Sequence, residues 1–203
     1  MSVITIARQF GAGGRTIGTR VAKKMNYRFL DEVVINEIAK KAKVTSSSVK
    51  AIERSAGSFI SKLITSALSQ DYMERLVGGE KGYIDEHIYV EKLAEVITEF
   101  AKEDNCVLLG RGSHYVLGDF KNAYHILFVA DDEDRVKFMQ KYYNLSDQKA
   151  RQAVQDGDKR RVNLYKNLGK TNYNDPGLYH MVLNISKVGI DQAVSLICSL
   201  VEG

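Results

Sequence analysis

The stretch Ile4–Gly18 reads ITIARQFGAGGRTIG. A β-branched run, Val3 to Ala7, predicts a buried strand. From Thr16 to Met25, Ile17, Val21 and Ala22 fall on one helical face and Arg20, Lys23 and Lys24 on the other. Between them lie Gly11, Ala12, Gly13 and Gly14. A strand, a glycine turn and a helix in that order suit an anion. Glycines admit positive φ and a close backbone approach, and the helix N-terminus points its free amides at the same place. The lysine usual in such a loop is absent, and the nearest cations are Arg8 and Arg15. Two other readings stay open at this point. A dinucleotide fingerprint begins at Gly11-Ala12-Gly13 and has Asp31 at a ribose-binding distance, but Thr16 stands at its third glycine. A purely structural turn is the other.

Working outward, short apolar runs predict further strands at Tyr27–Leu30, Cys106–Leu109, Tyr124–Ala130 and Met181–Ile185. Helical spacing fills the intervals: Val33–Ala42, a segment after the hydroxyl-rich Thr45–Ser48, Ser58–Val77, Ile88–Lys102, Ser146 to about Lys166, and Ile190–Val201. Asp131 to Asp134 puts acids where a helix macrodipole favours them. Strands that alternate with helices require crossovers and a mostly parallel sheet. Ligands bind such sheets at the carboxyl ends of the strands, where Arg8–Arg15, Asp31 and Gly110-Arg111 fall.

The chain has 203 residues, 44% hydrophobic, with a formal charge of +4. That suits one domain with a lid. No long Lys/Arg block argues for nucleic acid, and the apolar start is broken at Arg8 before it could act as a leader or a span. Cys106 and Cys198 lie in apolar runs and fit a reducing, cytoplasmic setting. His87, His114, His125 and His180 are scattered, so no metal site is expected. Tyr142, Tyr143 and Tyr165 read as packing residues, and the apolar Phe59–Leu68 stretch suits a contact in a homo-oligomer.

The motifs IARQFGAGGRTIG, YRFLD, LLGRG, DGDKRR and DPGLYHMVLNIS, in that order, resemble those of the cytidylate kinase-like branch of the P-loop nucleoside monophosphate kinases. The resemblance spans nearly the whole chain and is weakest from Thr45 to Lys81. It implies an α/β fold: a P-loop kinase-type three-layer sandwich with a five-stranded, mostly parallel sheet. It also implies a helical monophosphate-binding insert at 33–88 and a lid at 152–177. The implied reaction moves a phosphoryl group from ATP with Mg2+ to a nucleoside monophosphate such as CMP or dCMP, or to a related small acceptor. By position, the resemblance assigns Arg8, Gly11, Ala12, Gly13, Gly14, Arg15 and Thr16 to the phosphates. It assigns Asp31, Arg111, Asp158 and Arg161 to the acceptor. Arg151 and Arg160 belong to the lid, and the catalytic charge falls to Arg15 and Arg161.

Three departures stand out. Gly14 replaces the loop lysine, Gly112 replaces the aspartate of a Gly-Arg-Asp motif, and Val154 replaces a lid arginine, with Arg151 one turn away. The missing lysine keeps a rival in view: a regulatory protein that binds nucleotide and has lost catalysis.

Overall fold

Strand β1 (Val3–Arg8) is apolar on both faces, and the fold places it at the centre of the sheet. The computed structural model describes residues 2–55, 84–103 and 105–203. Around β1 lie β2 (Arg28–Leu30), β3 (Cys106–Leu109), β4 (Ala123–Val129) and β5 (Met181–Asn184), in the order β2-β3-β1-β4-β5. Every pairing is parallel, with Ile6 opposite Leu109 on one side and Arg8 opposite Phe128 on the other.

The two faces of the sheet bury different helices. Val3, Leu30, Cys106, Leu108 and Ala123 pack beneath α2 (Glu32–Lys41), α3 (Ser46–Ser55) and α4 (Glu86–Lys102). Ile4, Ile6, Val107, Leu109, Ile126 and Phe128 pack beneath α1 (Gly14–Met25) and α9 (Ile190–Glu202). This is the expected three-layer sandwich. Covering both faces explains why the strands read as unbroken apolar runs.

A third, smaller cluster joins α6 (Asp132–Tyr143) to α7 (Asp147–Asn167) through Val136, Met139, Ala150 and Val154, with Phe10 against it. Val154, expected as the site of a lost lid arginine, is therefore a core residue. The expected lid boundary at Gln152 falls inside the continuous helix α7.

Local chemistry sets the helix starts. Thr45 Oγ1 accepts from Ser48 N at 3.2 Å, and Asp85 accepts from Ile88 N at 2.8 Å. Helix α4 thus starts before Ile88. The short helices α5 (Ser113–Val116) and α8 (Ile185–Val188) follow their strands too closely for periodicity to reveal them. The apolar stretches Ser58–Val77 and Phe59–Leu68 lie outside the described residues. Among the described residues no helix is long and apolar enough to cross a membrane.

Two buried histidines are structural. His125 Nδ1 and Thr5 Oγ1 share a hydrogen bond at 2.8 Å, and the His125 amide donates to His180 Nδ1 at 3.0 Å. Burial, then the neighbouring His180, lowers the His125 pKa to about 4. Burial, then His125 and Arg161, lowers the His114 pKa to about 3. Both fold as neutral rings, so the unfolded chain binds more protons below the ordinary value of 6.5. Stability is then full above that value and declines by about 1.4 kcal/mol per pH unit for each ring as pH falls. Urea unfolding should show this decline between pH 7 and pH 5, and His125→Gln should flatten it by about one proton's worth. A profile that is level from pH 7 to pH 5 would contradict the assignment.

Candidate functional site

At its carboxyl end β1 runs into a loop held by one side chain. Gln9 N donates to Phe128 O at 3.0 Å, Gln9 Oε1 accepts from Ala130 N at 2.9 Å, and Gln9 O accepts from Ala12 N at 3.2 Å. The chain then turns through Gly11 at φ +84° and Gly13 at φ +77°. Side chains rarely adopt that left-handed region, and at Gly11 a Cβ would also come 2.9 Å from Arg135 O. Gly13 caps α1 without any side-chain hydrogen bond. The first-turn amides of α1 have no intrahelical acceptor. They border a hollow of about 300 Å³ lined by Gly11, Gly13, Gly14, Arg15 and Thr16.

Beneath the loop sits a brace that the sequence reading missed. The Arg135 side chain is 5% exposed. It donates to Phe10 O at 3.1 Å, to Asp158 Oδ2 at 2.7 Å and to Asp132 Oδ1 at 2.6 Å. Asp158 Oδ1 in turn accepts from Phe10 N at 3.2 Å. Asp158, which the resemblance assigned to the acceptor, is thus bound to the loop, and its ion-pair partner lies on α6.

A second cavity, of about 510 Å³, adjoins the first. Arg8 and Phe10 line both. Its other walls carry Lys50, Arg54, Arg111, Arg160 and Arg161, with Glu32 and Glu53. Arg111 follows β3 and is nearly buried. Its Nε donates to Glu53 Oε1 at 2.7 Å, and its Nη1 donates to Asp31 O at 2.9 Å and to Asp31 Oδ1 at 3.1 Å. Burial alone would lower its pKa, but Glu53 and Asp31 together raise it above the usual value.

Arg8 is half-buried between the two cavities, where burial and then the Arg111 charge lower its pKa to about 10. Arg161 Nη2 donates to Asn174 Oδ1 at 2.7 Å, and its guanidinium lies 4.8 Å from the Tyr173 ring centroid. Its Nε is buried and unpaired. Arg160 lies 5.5 Å over the Phe10 ring.

A basic pocket thus lies beside the glycine loop at the carboxyl ends of the strands. The chain belongs to the cytidylate kinase-like family, whose model matches residues 3–187. No curated protein matches it in sequence. Among solved structures it is similar to an uncharacterized protein from Eubacterium ventriosum, 17% identical with a TM-score of 0.68, over 99% of this chain and 98% of that one. Shikimate kinase from Bacteroides thetaiotaomicron is 14% identical with a TM-score of 0.52, over 100% and 99% of the two chains. A gluconokinase from Sinorhizobium meliloti is 10% identical with a TM-score of 0.51, over 99% and 94%. At these identities the likeness is one of fold.

Against the family pattern, several expected residues move. Arg15 borders the loop hollow, but its guanidinium pairs with Asp31 and its side chain is 54% exposed. It does not reach over the glycines. Arg151 forks onto Glu133 at 2.7 and 3.0 Å and onto Asp147 at 2.9 Å, and it lines neither cavity. It does not stand in for the arginine lost at Val154. Gly112 caps α5 at φ +68°, and Leu168 Cδ1 occupies the space of any Cβ there. The aspartate of the family motif has no room, and Asp31 and Glu53 supply the carboxylates for Arg111 instead.

Lys50, Glu53 and Arg54 were missed because the motif resemblance fades there. Their i, i+3, i+4 spacing on α3 was the available signal. Among the described residues no group of three or more His, Cys, Asp or Glu is disposed to hold a metal ion.

Removing the brace tests this geometry. Arg135→Met should cost about 2–4 kcal/mol of stability, since it strands Asp158 and the Phe10 carbonyl. Asp158→Asn in the same background should add little, because the two residues act as one unit. Denaturant unfolding of the single and double variants measures both effects; strictly additive losses would contradict the brace.

Proposed function

We propose that the protein is a phosphotransferase that moves the terminal phosphoryl group of ATP, bound with Mg2+, to a small phosphorylated acceptor of the CMP or dCMP kind. The observation that carries this reading is the junction of two cavities at Arg8: an amide-lined hollow on one side and an arginine-rich pocket on the other. Phosphoryl transfer needs in-line placement of donor and acceptor and positive charge over the transferring group, and little else from the protein. The triphosphate end fits the amides of Gly11 and of Gly13 to Thr16. The acceptor's anionic group fits Arg111 and Arg161, which both line the second cavity. An acceptor oxygen then bonds to the terminal phosphorus as the bond to ADP breaks.

Thr16 lines the loop hollow with a hydroxyl suited to magnesium, which when bound would neutralise charge on the phosphates. The aromatic rings of Tyr165 and Tyr173 stack 4.2 Å apart and hold the Arg161 guanidinium at their faces. That sets its charge toward the pocket rather than toward solvent. Asp31 contacts Arg15 and Arg111, which disfavours its expected alternative role on a ribose hydroxyl of a dinucleotide. The arginine-rich lining favours an anionic acceptor.

A coupled assay with magnesium ATP decides the matter. Its panel should hold CMP, dCMP, other nucleoside monophosphates, shikimate and gluconate. Turnover is expected with a monophosphate. Arg161→Ala should then lower kcat by more than about tenfold, the loss expected when a charge-assisted contact to the transferring group disappears. Arg111→Met should chiefly raise KM for the acceptor. Tight ATP binding with no turnover on any acceptor would favour the regulatory reading that Gly14 first suggested.

A further inference from the structure

The packing around position 14 accounts for the missing lysine. Gly14 opens α1 directly against the stem of Arg8. A Cβ there would lie 2.9 Å from Arg8 Cγ and 3.3 Å from both Arg8 Cδ and Leu109 Cδ1. At the end of β3, a Cβ on Gly110 would overlap Arg8 Nη1 outright. One arginine therefore fills the space that side chains at 14 and 110 would take. Its guanidinium borders both cavities. Among the described residues, Arg15, Arg111, Arg135 and Arg151 each hold a carboxylate, whereas no carboxylate forms an ion pair with Arg8. A guanidinium left without such a partner, half-buried beside Arg111 and Arg161, is costly until an anion arrives.

We infer that Arg8 supplies, from the end of β1, the positive charge that a loop lysine would supply from position 14, and that residue 14 is a glycine to admit it. This rests on the phosphotransfer reading and sharpens it. Arg8 meets the transferring phosphoryl group from the junction between donor and acceptor. Its planar fork spans two oxygens while the bond to the acceptor forms and the bond to the nucleoside diphosphate breaks. With a pKa near about 10 it stays charged at neutral pH. The charge expected of Arg15 is thereby reassigned to a residue that the first strand holds in place.

The test is a relocation of the charge. Affinity for inorganic tripolyphosphate and for ATP is measured by calorimetry in the parent, Arg8→Lys, Arg8→Met and the double variant Arg8→Ala/Gly14→Lys. Turnover on the best acceptor and thermal unfolding are followed in parallel. Arg8→Met should lose roughly tenfold or more in tripolyphosphate affinity, with a larger fall in kcat than in acceptor KM. Arg8→Lys should keep part of both. The double variant should regain at least about tenfold over Arg8→Met, because alanine at 8 removes the Cγ and Cδ that a Cβ at 14 would meet and leaves room for the lysine.

Folded Arg8→Met that matches the parent in affinity and kcat overturns the inference, as does a folded double variant no better than Arg8→Met. Should Arg8→Met fail to fold, Gly14→Ala decides. It keeps every charge and displaces only the Arg8 stem, so unchanged tripolyphosphate affinity in that variant overturns the inference. A parent that turns over and is indifferent to Arg8 sinks the role of Arg8 alone. A parent that binds tripolyphosphate through Arg8 but phosphorylates nothing sinks the phosphotransfer reading alone. A parent that binds neither tripolyphosphate nor ATP sinks both.

Discussion

The carboxyl end of the sheet is organised around one carboxylate. Asp31 ends the β2 turn at the N-cap of α2, yet its side chain makes no capping hydrogen bond. It is spent instead on Arg15 with one oxygen and on Arg111 with the other. Those partners follow β1 and β3, so a single group ties three loops together. It also offsets part of the repulsion among Arg8, Arg111 and Arg161, which share a small region of low dielectric. Forgoing a cap of about 1 kcal/mol is a modest loss beside leaving those charges unmatched. The remaining imbalance is what makes the pocket attractive to an anion.

The division between braced and unbraced arginines follows from this. Arg135 makes three hydrogen bonds, to Phe10 O, Asp132 and Asp158, and leaves only its buried Nε without one. It sets the shape of the loop and touches neither cavity. Arg111 is half committed, with carboxylates on Nε and Nη1. Arg161 has a polar neighbour, two aromatic faces and an unpaired Nε. Arg8 has no carboxylate at all among the described residues. The gradient runs from the floor of the loop to the junction of the cavities. A guanidinium's share of fixed partners thus decides whether it builds the site or is left for a ligand.

Much of this fold was legible in the sequence, because its signals are local. The strand runs, the helical faces and the glycine order each lie within about a dozen residues, and burial of both sheet faces reinforces them. The site was legible in composition but not in direction. Arg8 and Arg15 flank the same glycines, and nothing in their spacing says which one turns inward. The answer depends on Leu109 and Gly110, which are about a hundred residues away in the chain, and on Asp31 drawing Arg15 outward. The partner of Asp158 is equally remote from it in pattern: Arg135 is buried and lies on another helix. The face of α3 with Lys50, Glu53 and Arg54 was overlooked where family motifs are weakest, although its Thr45 cap was readable.

Moving a charge from a loop helix to the end of a central strand changes its physics as well as its address. A lysine at the start of α1 would swing on four rotatable bonds from backbone that borders solvent. Arg8 leaves a strand paired on both sides, and its stem is wedged against Gly14. Less side-chain entropy remains to be lost when a ligand binds, and the charge need not reorganise as the reaction proceeds. The cost falls on the apo protein, which must hold a half-buried guanidinium without a carboxylate of its own. It also falls on sequence freedom, since position 14 loses every side chain. Such a site trades adaptability for placement: it suits one acceptor anion held at one distance, and tolerates poorly any donor or acceptor whose phosphorus lies elsewhere.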